Sequence, residues 1–292
     1  MPIKMLNENV LKTRVKKFQR LMRDSGIDAS EIRTLSSFMY FTGIKWLRPS
    51  LLIPSDGDPT AFVIEHEADE FLSKTWVNDV VTYRNVEGLM KGVTGRIRDG
   101  GYKVVGFDYS VERDSYVAFF ELFKRLNPKI EVRNVHELIM SLRMIKDYYE
   151  INFIKEASRI AEKGLRVALD SVSIGASELD IAAEAIYAMM RAGAESPHVY
   201  VNASSKPRAH AEPRSDVKVD DKCAVMVVVS ADYMGYNSNI TRTFFMGKAT
   251  EEAKKAHETL HDLYAKAKDI VKPNVKLIDI ENIVKRALKE KG

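Results

Sequence analysis

Asp221-Lys-Cys-Ala-Val-Met-Val-Val-Val-Ser-Ala-Asp-Tyr-Met-Gly-Tyr-Asn-Ser-Asn-Ile-Thr-Arg-Thr-Phe-Phe-Met-Gly247 is the stretch around which the chain is organised. An apolar run from Ala224 to Val229 stops at a turn, and a second extended run starts at Gly235, which predicts a β-hairpin. In the second run Asn237, Asn239, Thr241 and Thr243 share one parity, and Tyr236, Ser238, Ile240, Arg242 and Phe244 the other. Side chains alternate across a strand, so one face becomes a row of small uncharged polar groups. Beside a fully apolar partner strand, such a face suits the wall of a polar cavity. Asp232, between the two runs, reads as a turn former.

Composition bounds the function classes. At 292 residues, 45% hydrophobic and 29% charged, the chain is globular material for two domains. Its 45 Lys and Arg are interspersed with 41 Asp and Glu, leaving +4, so no basic stripe implies nucleic acid or an anionic membrane. The single cysteine, Cys223, excludes an intrachain disulfide and reads as a small buried hydrophobe. No run reaches the ~18 apolar residues of a membrane helix and the N-terminus has no cleavage pattern, so a soluble, cytoplasmic protein is expected. Gln19 is the only glutamine among abundant Lys and Glu, a bias that hints at a thermophile.

Residues 1–135 read as an α/β domain. A helix over Leu11–Ser25 is followed by strand candidates at Leu51–Ile53, Thr60–Ile64, Asp79–Tyr83 and Lys103–Asp108, with helical patterns over 67–75, 86–98 and 113–126 between them. From residue 136 the character changes to helices over 135–144 and 147–172. Ser177 then fits an N-cap with Asp180 three residues on, opening a helix that ends near Gly193. Two more helices, 251–271 and 278–291, follow the hairpin.

Arg143-Met-Ile-Lys-Asp-Tyr-Tyr-Glu-Ile151, Gly175-Ala-Ser-Glu178, Pro207-Arg-Ala-His210 and Gly235-Tyr-Asn-Ser-Asn-Ile-Thr-Arg-Thr-Phe244 together resemble the creatinase/aminopeptidase (M24) family, and above all its Xaa-Pro dipeptidases (prolidases). Tyr40-Phe-Thr-Gly43 and Asp56-Gly-Asp-Pro59 extend the likeness into the first domain. The resemblance implies a creatinase-like N-terminal α/β domain over 1–135 and an α+β pita-bread domain over 136–292. It also implies hydrolysis by a hydroxide bridging two divalent metals such as Mn or Co, held mostly by carboxylates. The family's first two ligands are aspartates eleven positions apart on the two hairpin strands. Here those positions are Val228 and Asn239.

Val228 has no donor atom and Asn239 only a neutral carbonyl. The family's remaining ligands, a Gly-His histidine and two glutamates, lie beyond the helix that ends at Lys291-Gly292, so the domain is expected to lack its C-terminal half. No metal cofactor is therefore expected. The expected protein is Xaa-Pro dipeptidase-like without dimetal peptidase activity, its pocket wall formed by Val228, Asn239 and Thr241. Two alternatives stand beside it: a metal-free, creatinase-like C–N hydrolase using His210, and a non-catalytic protein- or peptide-binding module. His210 also reads as a solvated loop histidine. His257 and His261, spaced i, i+4 but without a Glu between them, follow a solvated helix face. Arg242 is expected to pair with a carboxylate behind the sheet. Trp46-Leu-Arg-Pro49 reads as a loop anchored by a buried Trp, with a lid or dimer contact as the alternative. A peptide or small amide is the expected ligand, and the open edge of the sheet predicts self-association as a dimer.

Overall fold

The structure is a computed structural model that describes residues 6–110, 114–203, 208, 212–222 and 224–291. The chain divides into two compact units, Met1–Ala157 with Asp232–Asn237, and Ser158–Ala231 with Ser238–Gly292. Among the described residues no helix is long and apolar enough to cross a membrane.

The first unit runs α1 (Glu8–Asp24), β1 (Ala29–Ile32), α2 (Leu35–Thr42), β2 (Leu51–Pro54), β3 (Thr60–Ile64), α3 (Ala68–Lys74), β4 (Asp79–Tyr83), α4 (Val86–Asp99), β5 (Val104–Phe107), α5 (Asp114–Leu126), β6 (Glu131–Asn134) and α6 (His136–Met144). The strands form one mixed sheet in the order β4-β3-β2-β1-β5-β6. β1 pairs antiparallel with β2 and parallel with β5. Two apolar cores cover its faces. Phe18, Phe38, Phe41, Phe71 and Ile139 pack in one, and Met90, Val93, Phe107, Phe120 and Phe123 in the other. Burying both faces is why β2 and β3 read as continuous apolar runs. Val135 and Ile139 belong to the first core, so α6 lies with this unit, beyond the change of sequence character at residue 135. Trp46 is buried edge-on against Phe71.

β1, α2 and β6 have no counterpart among the sequence-predicted elements. β1 is Ala-Ser-Glu-Ile, yet all four residues are buried. Its polar groups are satisfied by distant chain: Ser50 Oγ donates to Glu31 Oε1 at 2.6 Å and Ser30 Oγ to Met22 Sδ at 2.9 Å. Tertiary partners made a strand of a segment whose composition signals surface.

α7 (Tyr148–Ser171) begins in the first unit and continues into the second, which adds α8 (Glu178–Arg191), β7 (His198–Asn202), β8 (Ala224–Tyr233), β9 (Tyr236–Phe245), α9 (Glu251–Ile270) and α10 (Leu277–Lys291). α8 opens on a full capping box: Asp180 N–H donates to Ser177 Oγ and the Ser177 N–H to the Asp180 carboxylate. α7 and α8 approach closely at Gly164, where a Cβ would meet Met189 Cγ at 2.5 Å. The sheet order is β7-β8-β9, with β7 antiparallel to β8.

β8 extends to Tyr233, four residues past the apolar run, so Asp232 lies inside the strand and is not the turn former expected of it. The reversal is made by Met234 and Gly235, at φ 52° and 78°. Positive φ at both central residues is the turn whose twist matches the flanking strands, and glycine adopts it without strain. The hairpin tip lies in the first unit, where the Tyr236 hydroxyl donates to Glu150 Oε1 at 2.8 Å. Burial, reinforced by that carboxylate, pushes the Tyr236 hydroxyl well above its ordinary range.

Candidate functional site

Burial alternates along β8: Val225, Val227, Val229 and Ala231 are buried, while Met226, Val228 and Ser230 are half-buried. On β9, Ser238 Oγ lies 2.9 Å from Ser158 Oγ of α7, so that parity faces the helices and the Asn237, Asn239 and Thr241 parity faces away. Asn239 and Thr241 are exposed. Val228 therefore shares with Asn239 and Thr241 the parity turned away from α7. β7 adds Tyr200 directly beside Val228 and His198 beside Ser230, their two rings in edge contact at 5.4 Å. Sequence reading missed Tyr200 because it missed β7. The alternation His-Val-Tyr-Val-Asn is the signal that could have found it.

Asn239, Thr241 and Thr243 also border an open groove of about 770 Å³ along the outer side of β9, completed by His257, Leu260, His261 and Tyr264 of α9. Both histidines are exposed, and His257 rests edge-on against Phe245 at 5.9 Å. Arg242 has no carboxylate partner among the described residues. It is exposed and donates to the Thr241 carbonyl at 2.8 Å, so the ion pair expected behind the sheet is absent among the described residues; its same-parity neighbours on β9, Ile240 and Phe244, carry no charge.

The segment between β7 and β8 is tied to the start of α8. Glu178, fully buried, accepts from the Ala203 N–H at 2.8 Å, the Arg214 N–H at 3.1 Å, and Arg208 Nη2 at 2.5 Å through each oxygen. It occupies the first helical position of α8, where a carboxylate also meets the positive end of the helix dipole. The segment further hydrogen-bonds to the helix entry through Glu178 N–H to Val217 O and Gly175 N–H to Val219 O. His210 and Cys223 lie outside the described residues. Sequence analysis did not single out Glu178 as a holder of this segment. Its Ser-Glu-x-Asp context signals only a helix start.

Comparison with known proteins decides the ancestry. Residues 14–145 match the Creatinase/Prolidase N-terminal domain and residues 152–292 match Metallopeptidase family M24. The chain belongs to the M24, prolidase-like family. It is 27% identical over 287 residues to an Xaa-Pro dipeptidase of Pyrococcus horikoshii, covering 97% of this chain and 78% of that protein. An Xaa-Pro dipeptidase of Pyrococcus furiosus is 26% identical with the same coverage. The crystal structure of the Pyrococcus horikoshii prolidase superposes with a TM-score of 0.83 at 26% identity, over 96% of this chain and 78% of that one. A Bacillus anthracis Xaa-Pro dipeptidase shares the fold with a TM-score of 0.84 at 19% identity. The architecture is thus an M24 N-terminal domain followed by a pita-bread domain, here with a three-stranded sheet among the described residues.

The donor chemistry of this M24 face does not fit a pair of hard divalent ions. Such ions take anionic oxygen ligands, and Val228 offers methyl groups where Asn239 offers a neutral amide. His198, Tyr200, Ser230 and Thr241 around them are also without carboxylates, and the one carboxylate of this parity on β8, Asp232, stands four residues from Val228. Among the described residues, no three His, Cys, Asp or Glu side chains converge to hold a metal.

Proposed function

We propose that this M24 chain is an Xaa-Pro dipeptidase-like protein that binds a peptide or small amide without dimetal peptidase activity. The supporting observation is that Val228 and Asn239 stand on the adjacent strands β8 and β9, at the two hairpin positions where the family resemblance places aspartates. Charge compensation for two divalent ions is missing there, and a hydroxide bridging them has no means of being held or acidified. What remains is suited to recognition. Neutral amides and hydroxyls exchange hydrogen bonds with peptide groups, and Tyr200 supplies a half-buried ring for an apolar side chain.

Incubation with Leu-Pro in the presence of manganese or cobalt is expected to release no proline. Titration of the same dipeptide is expected to shift the amide resonances of Asn239 and Thr241. Proline release that rises with enzyme concentration would overturn the proposal.

Among the described residues no strand lies beyond β9 in its sheet, and a ten-residue edge is a template for pairing. We propose that a second copy of the chain covers it. Light scattering is expected to give the mass of a dimer, and a monodisperse monomer across the concentration range would contradict it.

A further inference from the structure

α4 and α5 cover one face of the first unit's sheet: Met90, Val93 and Ile97 of the former and Phe119, Phe120 and Phe123 of the latter belong to one apolar core. They follow β4 and β5, which run parallel to one another, so the two helices point the same way. Just past the end of α5, Asn127 Nδ2 donates to Thr94 Oγ1 of α4 at 3.4 Å, which ties their C-terminal halves together. On their outer side the pair leaves a groove of about 800 Å³, within the range of small-molecule sites. It follows α4 from Val86 to Arg98, a length of roughly 18 Å at the rise of a helix.

The lining is apolar along its length and unevenly charged. Met90 lines the groove from a buried position, and Val86, Leu122 and Leu126 are large apolar side chains left exposed along it. Toward the Val86 end, Glu87 and Lys91 pair at 2.6 Å and their charges cancel. At the other end Arg98 is exposed, and its Nε stands 3.7 Å from Asp99 Oδ1, beyond hydrogen-bond reach, so its donors are open to solvent. Lys124 and Arg125 close α5 as Arg96 and Arg98 close α4, so this end of the helix pair is basic.

Gly95 also lines the groove. Glycine inside a helix is unfavourable relative to alanine and calls for a reason. Gly92 has one within the chain, since a Cβ there would meet Phe62 and Val81 at 3.3 Å. A Cβ on Gly95 would meet nothing within 4 Å, so packing among the described residues does not require a glycine there. Its effect is to leave the groove unobstructed between the apolar and the basic end.

We infer that this groove binds a free fatty acid, its carboxylate on the Arg98 guanidinium and its alkyl chain along Gly95, Leu122, Leu126 and Met90 toward Val86. An elongated apolar lining gains with each methylene it removes from water, and an open guanidinium fork matches a planar carboxylate in charge-assisted hydrogen bonds. The cancelled Glu87–Lys91 pair offers no net charge at the far end, which fixes the direction in which the ligand lies.

The test uses the full chain, followed by amide resonance shifts. Dodecanoate below its micellar concentration is the probe, octanoate its short analogue, dodecyltrimethylammonium its cationic analogue, and phosphatidylglycerol vesicles the rival anionic lipid surface. Dodecanoate is expected to saturate at one molecule per chain and to move Thr94 and Gly95, two residues of the lining. Octanoate is expected to bind roughly tenfold more weakly or worse for want of buried methylenes, and the cation several-fold more weakly. Arg98→Glu is expected to weaken dodecanoate by roughly tenfold while leaving thermal stability unchanged, as befits an exposed side chain. Gly95→Leu fills open space, so it is expected to fold at least as stably as the wild type and to lose dodecanoate binding. Should that variant fail to fold, the wild-type titrations and Arg98→Glu decide. Equal binding of dodecanoate and dodecyltrimethylammonium, retention of dodecanoate by folded Gly95→Leu, or shifts at Thr94 and Gly95 with vesicles but not with dodecanoate would each overturn the assignment.

Discussion

Replacing Glu178 by alanine is expected to cost about 3 kcal/mol of unfolding free energy, the low end of the range for stripping one partner from a buried ion pair. The figure sits at that end because Arg208 keeps 25% exposure and can recover some hydration, whereas Glu178 has none to lose. The damage spreads beyond the pair. Two backbone N–H groups, of Ala203 and Arg214, lose their acceptor together with the guanidinium, and the start of α8 loses a favourable charge. Glu178→Gln retains an acceptor of the same shape and is expected to cost about half as much. Urea denaturation measures both, and hydrogen exchange at Ala203 and Arg214 should accelerate before the rest of the unit. A loss below about 1 kcal/mol for the alanine variant would mean that water replaces the carboxylate, contrary to its complete burial. The expectation bears on function because Arg208, the partner of Glu178, precedes by two residues in sequence His210, on which the metal-free hydrolase alternative depends.

Stability is expected to fall by roughly 3 kcal/mol between pH 4.5 and pH 7 on account of Glu31 alone. The sign follows from the direction of its shift. Burial raises the folded-state value to about 7 from an ordinary 4.5, so across this window the folded chain holds a proton that the unfolded chain has released. The contribution is complete below the unfolded value and is lost as pH rises through the folded one. Asp108 and Asp147 work in the opposite sense. Burial alone would raise each, but hydrogen bonds from Ser37, the Ser110 N–H, His136 and Thr34 for Asp108, and from the Glu150 N–H and Arg14 for Asp147, hold both below the ordinary value. Their contributions disappear in acid, below the window that Glu31 controls. Glu31→Gln isolates the effect: the difference in stability between variant and wild type should move in favour of the variant by about that amount from pH 4.5 to pH 7. A difference that stays constant with pH would show that Glu31 is ionised in the folded chain throughout.

The sequence made the long periodic elements plain. α1, α4, α7, α8, α9 and α10 each carry an apolar stripe and a recognisable start or stop, and Ser177 with Asp180 specified its cap down to the hydrogen bonds. β2, β3 and β4 announced themselves as apolar runs between Gly, Asp and Pro turns. What escaped was decided by distant partners. Glu31 marks β1 as surface until Ser50 is seen to reach it, and β6 is a polar edge strand of Glu-Val-Arg-Asn with little to bury. The hairpin turn was misplaced because Asp232 has turn chemistry and Met234 does not, although Met234 takes the positive φ. At the candidate site, the polar parity of Asn239 and Thr241 was legible, and so was the absence of carboxylates at Val228 and Asn239. The pairing of Tyr200 with Val228 was not, since cross-strand register depends on a strand that the reading left unassigned.

Metal content is the most direct test of the reading of Val228 and Asn239. The full chain, incubated with excess manganese or cobalt, passed through a desalting column and analysed by inductively coupled plasma mass spectrometry, is expected to retain close to no ion per chain. Retention of two ions per chain would contradict the proposal, because it would show that a dimetal centre assembles on a face that offers a valine and an asparagine in place of two aspartates.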